Sequence, residues 1–326
     1  MRRLTSLEIC AGVGGQALGL ERAGFDPVML IDEDPHSCST LRKNRPGWDV
    51  AQMDLREFVA SEHPKTLDVD LLSGGVPCTP YTVAGRRHGA ADSRDLFTAA
   101  IWLVHEVRPR AVMIENVPRL LQDEKFHGPR EFARAELRHL GYEVAWEILH
   151  AQDYGVPQRR PHAVLVAMAP DDLARFQWPQ AEDEPPLTVG ETLGSSMAEK
   201  GWRGACTWAE AANSIAPTIV GGSKKHGGAD LGPTGTKRAW AELGVNGASL
   251  ADGPPEADFV LRWGVGKDGR EGLPKLTTEQ VALLQSFPED WSISGGKTAR
   301  YRQLAQGYPP PVAEAVGRSI AAAFQG

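Results

Sequence analysis

No apolar run in this sequence approaches the roughly 20 residues that a membrane span requires. The N-terminus, "MRRLTSLEIC", has two arginines but no apolar stretch of signal-peptide length, so the chain is expected in the cytoplasm. Cysteine is scarce: Cys10, Cys38, Cys78 and Cys206 lie far apart, with no CxxC pair and no clustered histidines. That spacing argues against a disulfide framework and against a zinc site, and leaves reduced thiols as the default. Positive charge is in deficit too, with a formal net charge of −7. A polyanionic partner would have to be met by local basic patches. Two exist, "GRRHGAADSR" at 85–94 and "GGSKKHGGADLGPTGTKRAW" at 221–240. Internal repeats are absent.

What the chain has is enough length, 326 residues, and enough hydrophobic content, 41%, for one large domain with a satellite or for two domains. Its first half alternates short apolar runs with helix-like segments, the pattern of an α/β fold with a doubly wound, mostly parallel sheet. Strands are expected at "LTSLEIC", "PVMLI", "DVDLLS", "RAVMIEN", "YEVAWEILH" and "HAVLVAM". Helices are expected at 14–24, "PHSCSTLRKN", "RDLFTAAIWLVHEV" and "PREFARAELRHLG". From about residue 170 prolines, glycines and tryptophans become frequent and periodicity fades, which predicts a second, smaller, loop-rich domain. Helical texture returns in "LTTEQVALLQSF" and in "PPVAEAVGRSIAAAF", a helix expected to pack back on the first domain.

Four stretches carry candidate chemistry. "EICAGVGGQALGLERAGF" combines a strand, a glycine turn and a helix, with acids about 20 residues on at Asp32 and Asp34. Glycines allow close backbone approach, and a helix N-terminus offers free amides. Taken alone, the turn suits an S-adenosylmethionine site, a nicotinamide or flavin site, or a purely structural role. In "GGVPCTPYTVAG", prolines and glycines hold Cys78 on a stiff loop after a parallel strand, where open α/β sheets put their chemistry. The nearby "GRRH" is electropositive and favours thiolate. For Cys10, Cys38 and Cys206 the bland reading, buried filler, is the better one. "VMIENVPRL" ends a strand with Glu115 and Asn116; a lone acid there is often a cap, but two adjacent strands delivering a cysteine and a glutamate to one edge are harder to dismiss. "QDYGVPQRRPHAVLVA" offers Arg159 and Arg160 for a polar or anionic substrate, although surface arginines before a strand are commonplace.

The order "CAGVGG", "PC", "ENV", "GVPQRR", "LLQSFPEDW", "PPPVAEAVG" resembles the DNA cytosine-5 methyltransferases, of the bacterial restriction-modification type, over nearly the whole chain except about 175–270. The resemblance implies an S-adenosylmethionine domain at 1–170, a small target-recognition domain at 171–298 and a C-terminal helix at 299–326 returning to the first. It implies methyl transfer to C5 of a flipped-out cytosine in double-stranded DNA, with Cys78 adding to C6, Glu115 as the acid at N3, and Arg160 and His162 beside them. It places Cys10, Ala11, Gly12, Gly14 and Gly15 around the methionine moiety of S-adenosylmethionine, Asp32 at the ribose and Glu33 and Asp54 at the adenine. Pro77 and Leu96 line that pocket, and Gln306 closes it. On the DNA side it implies Thr79 and Thr82 in a closing loop, with Arg86, Arg87, Lys224 and Lys225 as phosphate contacts. A monomer is expected, with no metal and with a cognate restriction endonuclease acting separately.

The chain departs from the family pattern at several of these positions. Cys10 stands where an aromatic residue is usual, Asp32 where glutamate is, and Thr79 where glutamine is. His162 replaces the second arginine of Gln-x-Arg-x-Arg, and Gln306 with Gly307 replaces asparagine and a small residue. Three other readings compete. A transfer-RNA cytosine methyltransferase would carry a Cys-Phe-Thr element that "ACTWAE" does not match. A nicotinamide oxidoreductase leaves "PC" and "ENV" unexplained. A DNA-binding homologue that has lost catalysis fits the His162 and Gln306 departures but not an intact Cys78 and Glu115.

Overall fold

The computed structural model describes residues 2–77, 96–220, 228–266 and 268–325. Cys78, Thr79, Thr82, Arg86, Arg87, Lys224 and Lys225 lie outside the described residues. The chain divides into two compact units: Met1–Leu149, Pro161–Pro179 and Val312–Gly326 form the first, His150–Arg160 and Gln180–Pro311 the second.

In the first unit the strands are β1 (Leu4–Ile9), β2 (Phe25–Asp32), β3 (Val50–Gln52), β4 (Leu71–Gly75), β5 (Ala111–Asn116), β6 (Glu143–His150, whose last residue groups with the second unit) and β7 (Pro161–Met168). They form one seven-stranded sheet in the order β3-β2-β1-β4-β5-β7-β6. Pairs β1–β2, β1–β4, β2–β3 and β4–β5 are parallel, and β5–β7 is antiparallel. Helices α1 (Gly15–Arg22), α2 (Pro35–Asn44), α3 (Leu96–Val107), α4 (Arg119–Gln122), α5 (His127–His139) and α6 (Pro170–Arg175) connect or follow these strands. Covering both faces of a parallel sheet requires strands that read as continuous apolar runs. Leu7, Ile9, Leu30, Ile31, Leu72, Val112 and Ile114 accordingly have almost no exposed surface. The boundaries follow local chemistry: Asp34 caps α2 by accepting from the His36 and Ser37 amides, and Pro35 fills the first turn, where a missing N–H costs nothing.

The chain runs outward from β1 to β3, then returns to begin again at β4 beside β1. The topological switch point therefore falls between β1 and β4, the place where open α/β sheets bind ligands beyond the carboxyl ends of the strands.

The first unit is completed from far along the sequence by α12 (Pro310–Ala323), which groups with it from Val312 onward. Val312, Ala313, Val316, Ile320 and Ala323 of that segment are buried. Its Gly317 sits so close to the first helix that a Cβ there would stand 2.8 Å from Ala23 and 2.9 Å from Leu20. Its last carbonyls, which have no intrahelical partner, are met by two arginines: Arg175 bonds the Ala323 carbonyl at 3.0 Å and Arg110 the Phe324 carbonyl at 3.3 Å. Both guanidinium groups also hold Asp172, whose carboxyl is kept below its ordinary value by the hydrogen bond from Arg110.

The second unit contains α7 (Val189–Ala198), α8 (Ala205–Ala211), α9 (Thr234–Glu242), α10 (Thr278–Leu283) and α11 (Lys297–Gln306). Long loops join these short helices, as the loop-rich expectation from about residue 170 has it. Helix α7 begins in a reciprocal capping box between Thr188 and Glu191 and buries Val189, Leu193 and Met197 along one face. Tryptophans form the unit's interior, and Trp208 and Trp240 have no exposed surface. The Trp208 indole N–H donates to the Gly244 carbonyl at 2.8 Å, which removes the penalty for burying it. No described helix is long and apolar enough to cross a membrane.

Candidate functional site

Beyond the end of β1 the backbone turns through three left-handed residues, Cys10 (φ 50°), Gly12 (φ 55°) and Gly14 (φ 85°). Glycine takes this conformation freely; Cys10 does not, and its strain is held by its neighbours. Ala11 is pinned to the Ile31 carbonyl at 3.0 Å, and Asp32 at the end of β2 accepts the Gly12 amide at 2.7 Å and the Asp34 amide at 2.8 Å. Both carboxylate oxygens of Asp32 thus shape the turn. Burial raises the Asp32 carboxyl above its ordinary value, while these two amides pull it back. Gly14 then starts α1 with no side-chain cap, so the helix presents its first amides toward the turn.

Acidic groups surround the turn. The Cys10 thiol is pushed up to about 12 by burial and by Asp32, Glu33, Asp54 and Glu8, in that order. It is a neutral thiol and not a nucleophile. Cys38 is pushed up to about 11 by burial and then by Asp32, and it donates its S–H to the Asp32 carbonyl. Among the other sequence-predicted cofactor residues, Ala11 and Gly15 are buried, Glu33 and Pro77 exposed, and Leu96 half-buried at the start of α3. Asp54 caps the short turn 55–57 and is paired with Arg56, which holds its carboxyl low. Gln306 ends α11 in the second unit and is exposed.

At the ends of β4 and β5 the second constellation forms. Asn116 donates from Nδ2 to the Val76 carbonyl at 3.0 Å and accepts the Val117 amide at 2.8 Å, so it fastens the segment two residues before Cys78 to the end of β5. Glu115, beside it, pairs with β7: Oε1 stands 2.7 Å from Nδ1 of His162. The two side chains are only 14% and 5% exposed, so this contact is shielded from solvent competition. The other carboxyl oxygen, Oε2, faces Gly75, where a Cβ would stand 3.2 Å away. The glycine keeps that side of the carboxyl open.

Arg160 is bonded to main-chain carbonyls. Its Nη1 donates to the Ile219 carbonyl at 2.8 Å and its Nη2 to the Ala305 carbonyl at 2.9 Å, both within the second unit. Gln158 joins the same brace by accepting the Ile219 amide at 2.9 Å. The guanidinium fork of Arg160 thus ties two backbone segments together.

Sequence reasoning passed over Glu8. It lies in the middle of the sheet with its carboxyl fully buried, accepts from the Ser73 hydroxyl of β4, and is pushed up to about 8 by burial. The signal was present in the sequence: a strand covered on both faces leaves an acid within it no route to solvent.

Comparison with known proteins identifies the family. The family model for C-5 cytosine-specific DNA methylase matches residues 4–322. The type II methyltransferase M.NaeI of Lentzea aerocolonigenes is 49% identical over 99% of this chain and 76% of its own length. M.NgoMIV of Neisseria gonorrhoeae, also a type II methyltransferase, is 43% identical over 99% of both chains. Among solved structures, a DNA modification methyltransferase encoded within an E. coli prophage superposes with a TM-score of 0.67 at 20% identity, covering 99% of this chain and 100% of that one. The Dnmt2 methyltransferase of S. pombe superposes with a TM-score of 0.62 at 18% identity, covering 99% of each chain. These two show the fold; the sequence matches show the family. The chain belongs to the C-5 cytosine-specific DNA methylases, and its activity is that of a DNA cytosine-5 methyltransferase.

Proposed function

We propose that this chain transfers a methyl group from S-adenosylmethionine to C5 of a cytosine flipped out of duplex DNA, through a transient bond between Cys78 and C6. The observation that carries this reading is the shared sheet edge: the glycine turn after β1, the segment held by Asn116 before Cys78, and Glu115 at the end of β5. The residues around the turn fit the cofactor. Left-handed glycines leave room for close approach, the uncapped α1 amides suit a carboxylate, and the acids that raise Cys10 suit a sulfonium and an ammonium group. The chemistry S-adenosylmethionine supplies when bound is an electrophilic methyl group for the activated C5.

The remaining roles fall to the chain. Cytosine C5 is a poor nucleophile until the ring's aromaticity is broken, and a thiolate at C6 breaks it, a task for which serine is far weaker. Cys78 takes this role. Glu115 meets the charge that builds at N3, and its Gly75 side leaves space for the ring. A stacked base exposes neither face, so the target leaves the helix at a cost of a few kcal/mol offset by pocket and backbone contacts. Thr79, Thr82, Arg86, Arg87, Lys224 and Lys225 supply such contacts in this reading. Gly12, Gly14, Gly15 and Asp32 position the cofactor, and Arg160 braces the second unit. The chain acts as a monomer on DNA in the cytoplasm, with a restriction endonuclease as a separate partner.

Cys78→Ala tests the reading. Methyl transfer from labelled S-adenosylmethionine to duplex DNA is expected to vanish while cofactor binding survives. DNA carrying 5-fluorocytosine is expected to become covalently attached to the unaltered enzyme in the presence of the methyl donor. Turnover retained in the alanine variant refutes the mechanism, and label appearing only in RNA moves the substrate assignment.

A further inference from the structure

The Glu115–His162 pair joins an acid that the proposed reaction needs to an imidazole, a side chain that can both hold and give up a proton. The guanidinium usual at this position in the family pattern does not do so. Nδ1 and Oε1 stand 2.7 Å apart, a separation across which a proton passes directly. The two residues are held on antiparallel neighbours, β5 and β7, so their contact is set by the sheet and not by a loop.

Resting on the function proposed above, we infer that His162 is the proton store for Glu115, relaying a proton through the carboxyl to N3 of the target cytosine. In the resting pair the proton resides on Nδ1 of the imidazolium, hydrogen-bonded to the carboxylate. As the Cys78 sulfur bonds to C6, the π pair of C5=C6 becomes the C4=C5 bond and the pair of C4=N3 moves onto N3. The proton crosses from Nδ1 to Glu115, and the carboxylic acid so formed passes it to N3. The C4=C5 pair then takes the methyl group from the sulfonium donor, which is left as a thioether, while the N3 pair re-forms C4=N3. C5 gives its proton to water, and the C5–H pair becomes C5=C6 as Cys78 leaves with the electrons of the S–C6 bond. N3 then returns its proton to Glu115 and on to His162, so the pair ends as it began.

The surrounding elements hold other charged groups that a pH profile also senses. On α4, Arg119 is exposed and paired with Asp123 at 3.6 Å. On β6, Glu147 and His150 are exposed. Before β7, Arg159 is exposed and Arg160 is bound to two carbonyls. On β4 the facing residue is Gly75, which carries no charge, and Cys78 is the remaining titratable group of the proposed site. All of these are common to the wild type and to variants at position 162, so a difference between their profiles isolates the imidazole.

The experiment is single-turnover methyl transfer from S-adenosylmethionine to unmethylated genomic DNA between pH 6 and 9, with the full-length enzyme and its His162→Arg, His162→Asn and His162→Gly variants. Cofactor binding and thermal melting select the folded variants. His162→Arg and His162→Asn are expected to lose the alkaline limb that tracks an imidazole. His162→Gly is expected to fall about 100-fold, the ordinary scale of a lost proton-transfer group. Free imidazoles are expected to restore part of that rate in proportion to their acidity, which a merely positioning side chain would not allow. Should His162→Gly not fold, the two larger variants carry the test alone. Variant profiles that overlay the wild type in shape overturn the relay. A wild-type enzyme that transfers no methyl group to DNA overturns instead the function on which the relay rests.

Discussion

Replacing Glu8 by glutamine tests how the sheet accommodates an acid in its centre. Glutamine keeps the size and the acceptor for the Ser73 hydroxyl but cannot ionise. In the unfolded chain the Glu8 carboxyl has its ordinary value of 4.5, whereas in the folded protein burial pushes it up to about 8. The folded state therefore holds this proton over a range in which the unfolded state gives it up. Stability from this group is fully present below about pH 4.5 and is lost as pH rises toward 8, at about 1.4 kcal/mol per pH unit within that window. Between pH 5 and pH 7 the wild type is expected to lose roughly 2–3 kcal/mol from Glu8 alone, and the glutamine variant none of it. Urea unfolding of both proteins at pH 5, 6, 7 and 8, monitored by amide signals of the first unit, measures the gap. A difference that widens from pH 5 to pH 7 and begins to flatten by pH 8 is the expected result. A gap that stays constant from pH 5 to pH 8 refutes the reasoning, because it would mean the carboxyl ionises in place at no cost.

Two further substitutions probe the supports of the proposed site. Asp32→Asn leaves one acceptor for two amides, so either Gly12 or Asp34 loses its partner. At about 1–3 kcal/mol for an orphaned amide, S-adenosylmethionine binding measured by calorimetry is expected to weaken roughly 10- to 100-fold, and an unchanged affinity would separate the turn's shape from cofactor binding. Arg160→Lys replaces a fork that reaches both Ile219 and Ala305 by a single ammonium. Hydrogen exchange at the Ile219 amide, itself held by Gln158, is expected to quicken by roughly tenfold for a loss of about 1–1.5 kcal/mol; unaltered exchange would show that the brace is redundant.

The first unit was legible because its physics is local. Apolar runs bounded by turn residues mark the strands, and α2 occupies 35–44 as the "PHSCSTLRKN" stretch predicts, with its cap and its proline both readable. Strand β3, of three residues, has too little sequence to leave a periodic signal. In the second unit α10 falls within "LTTEQVALLQSF" as expected, but α7 was missed for another reason: it contains two glycines, and its apolar positions are separated by small polar residues that dilute the period. Its capping box, threonine followed three residues later by glutamate, was the readable sign. For the site, residue types in order identified the glycine turn and Glu115, since each is local to a strand end. What joins them was not local. The pairing of Glu115 with His162 depends on β5 and β7 lying side by side in antiparallel register, and the capture of Val76 by Asn116 depends on β4 beside β5. The same holds for Arg160, whose carbonyl partners lie 59 and 145 residues away along the chain.

The position of Gly317 against Leu20 and Ala23 sets an order on biosynthesis. While the polypeptide is emerging, α1 waits with one side uncovered until the segment around Gly317, far along the chain, has been made. A message cut short before α12 would yield a product holding the glycine turn, Cys78 and Glu115 and yet lacking the closure that keeps the side of α1 out of water.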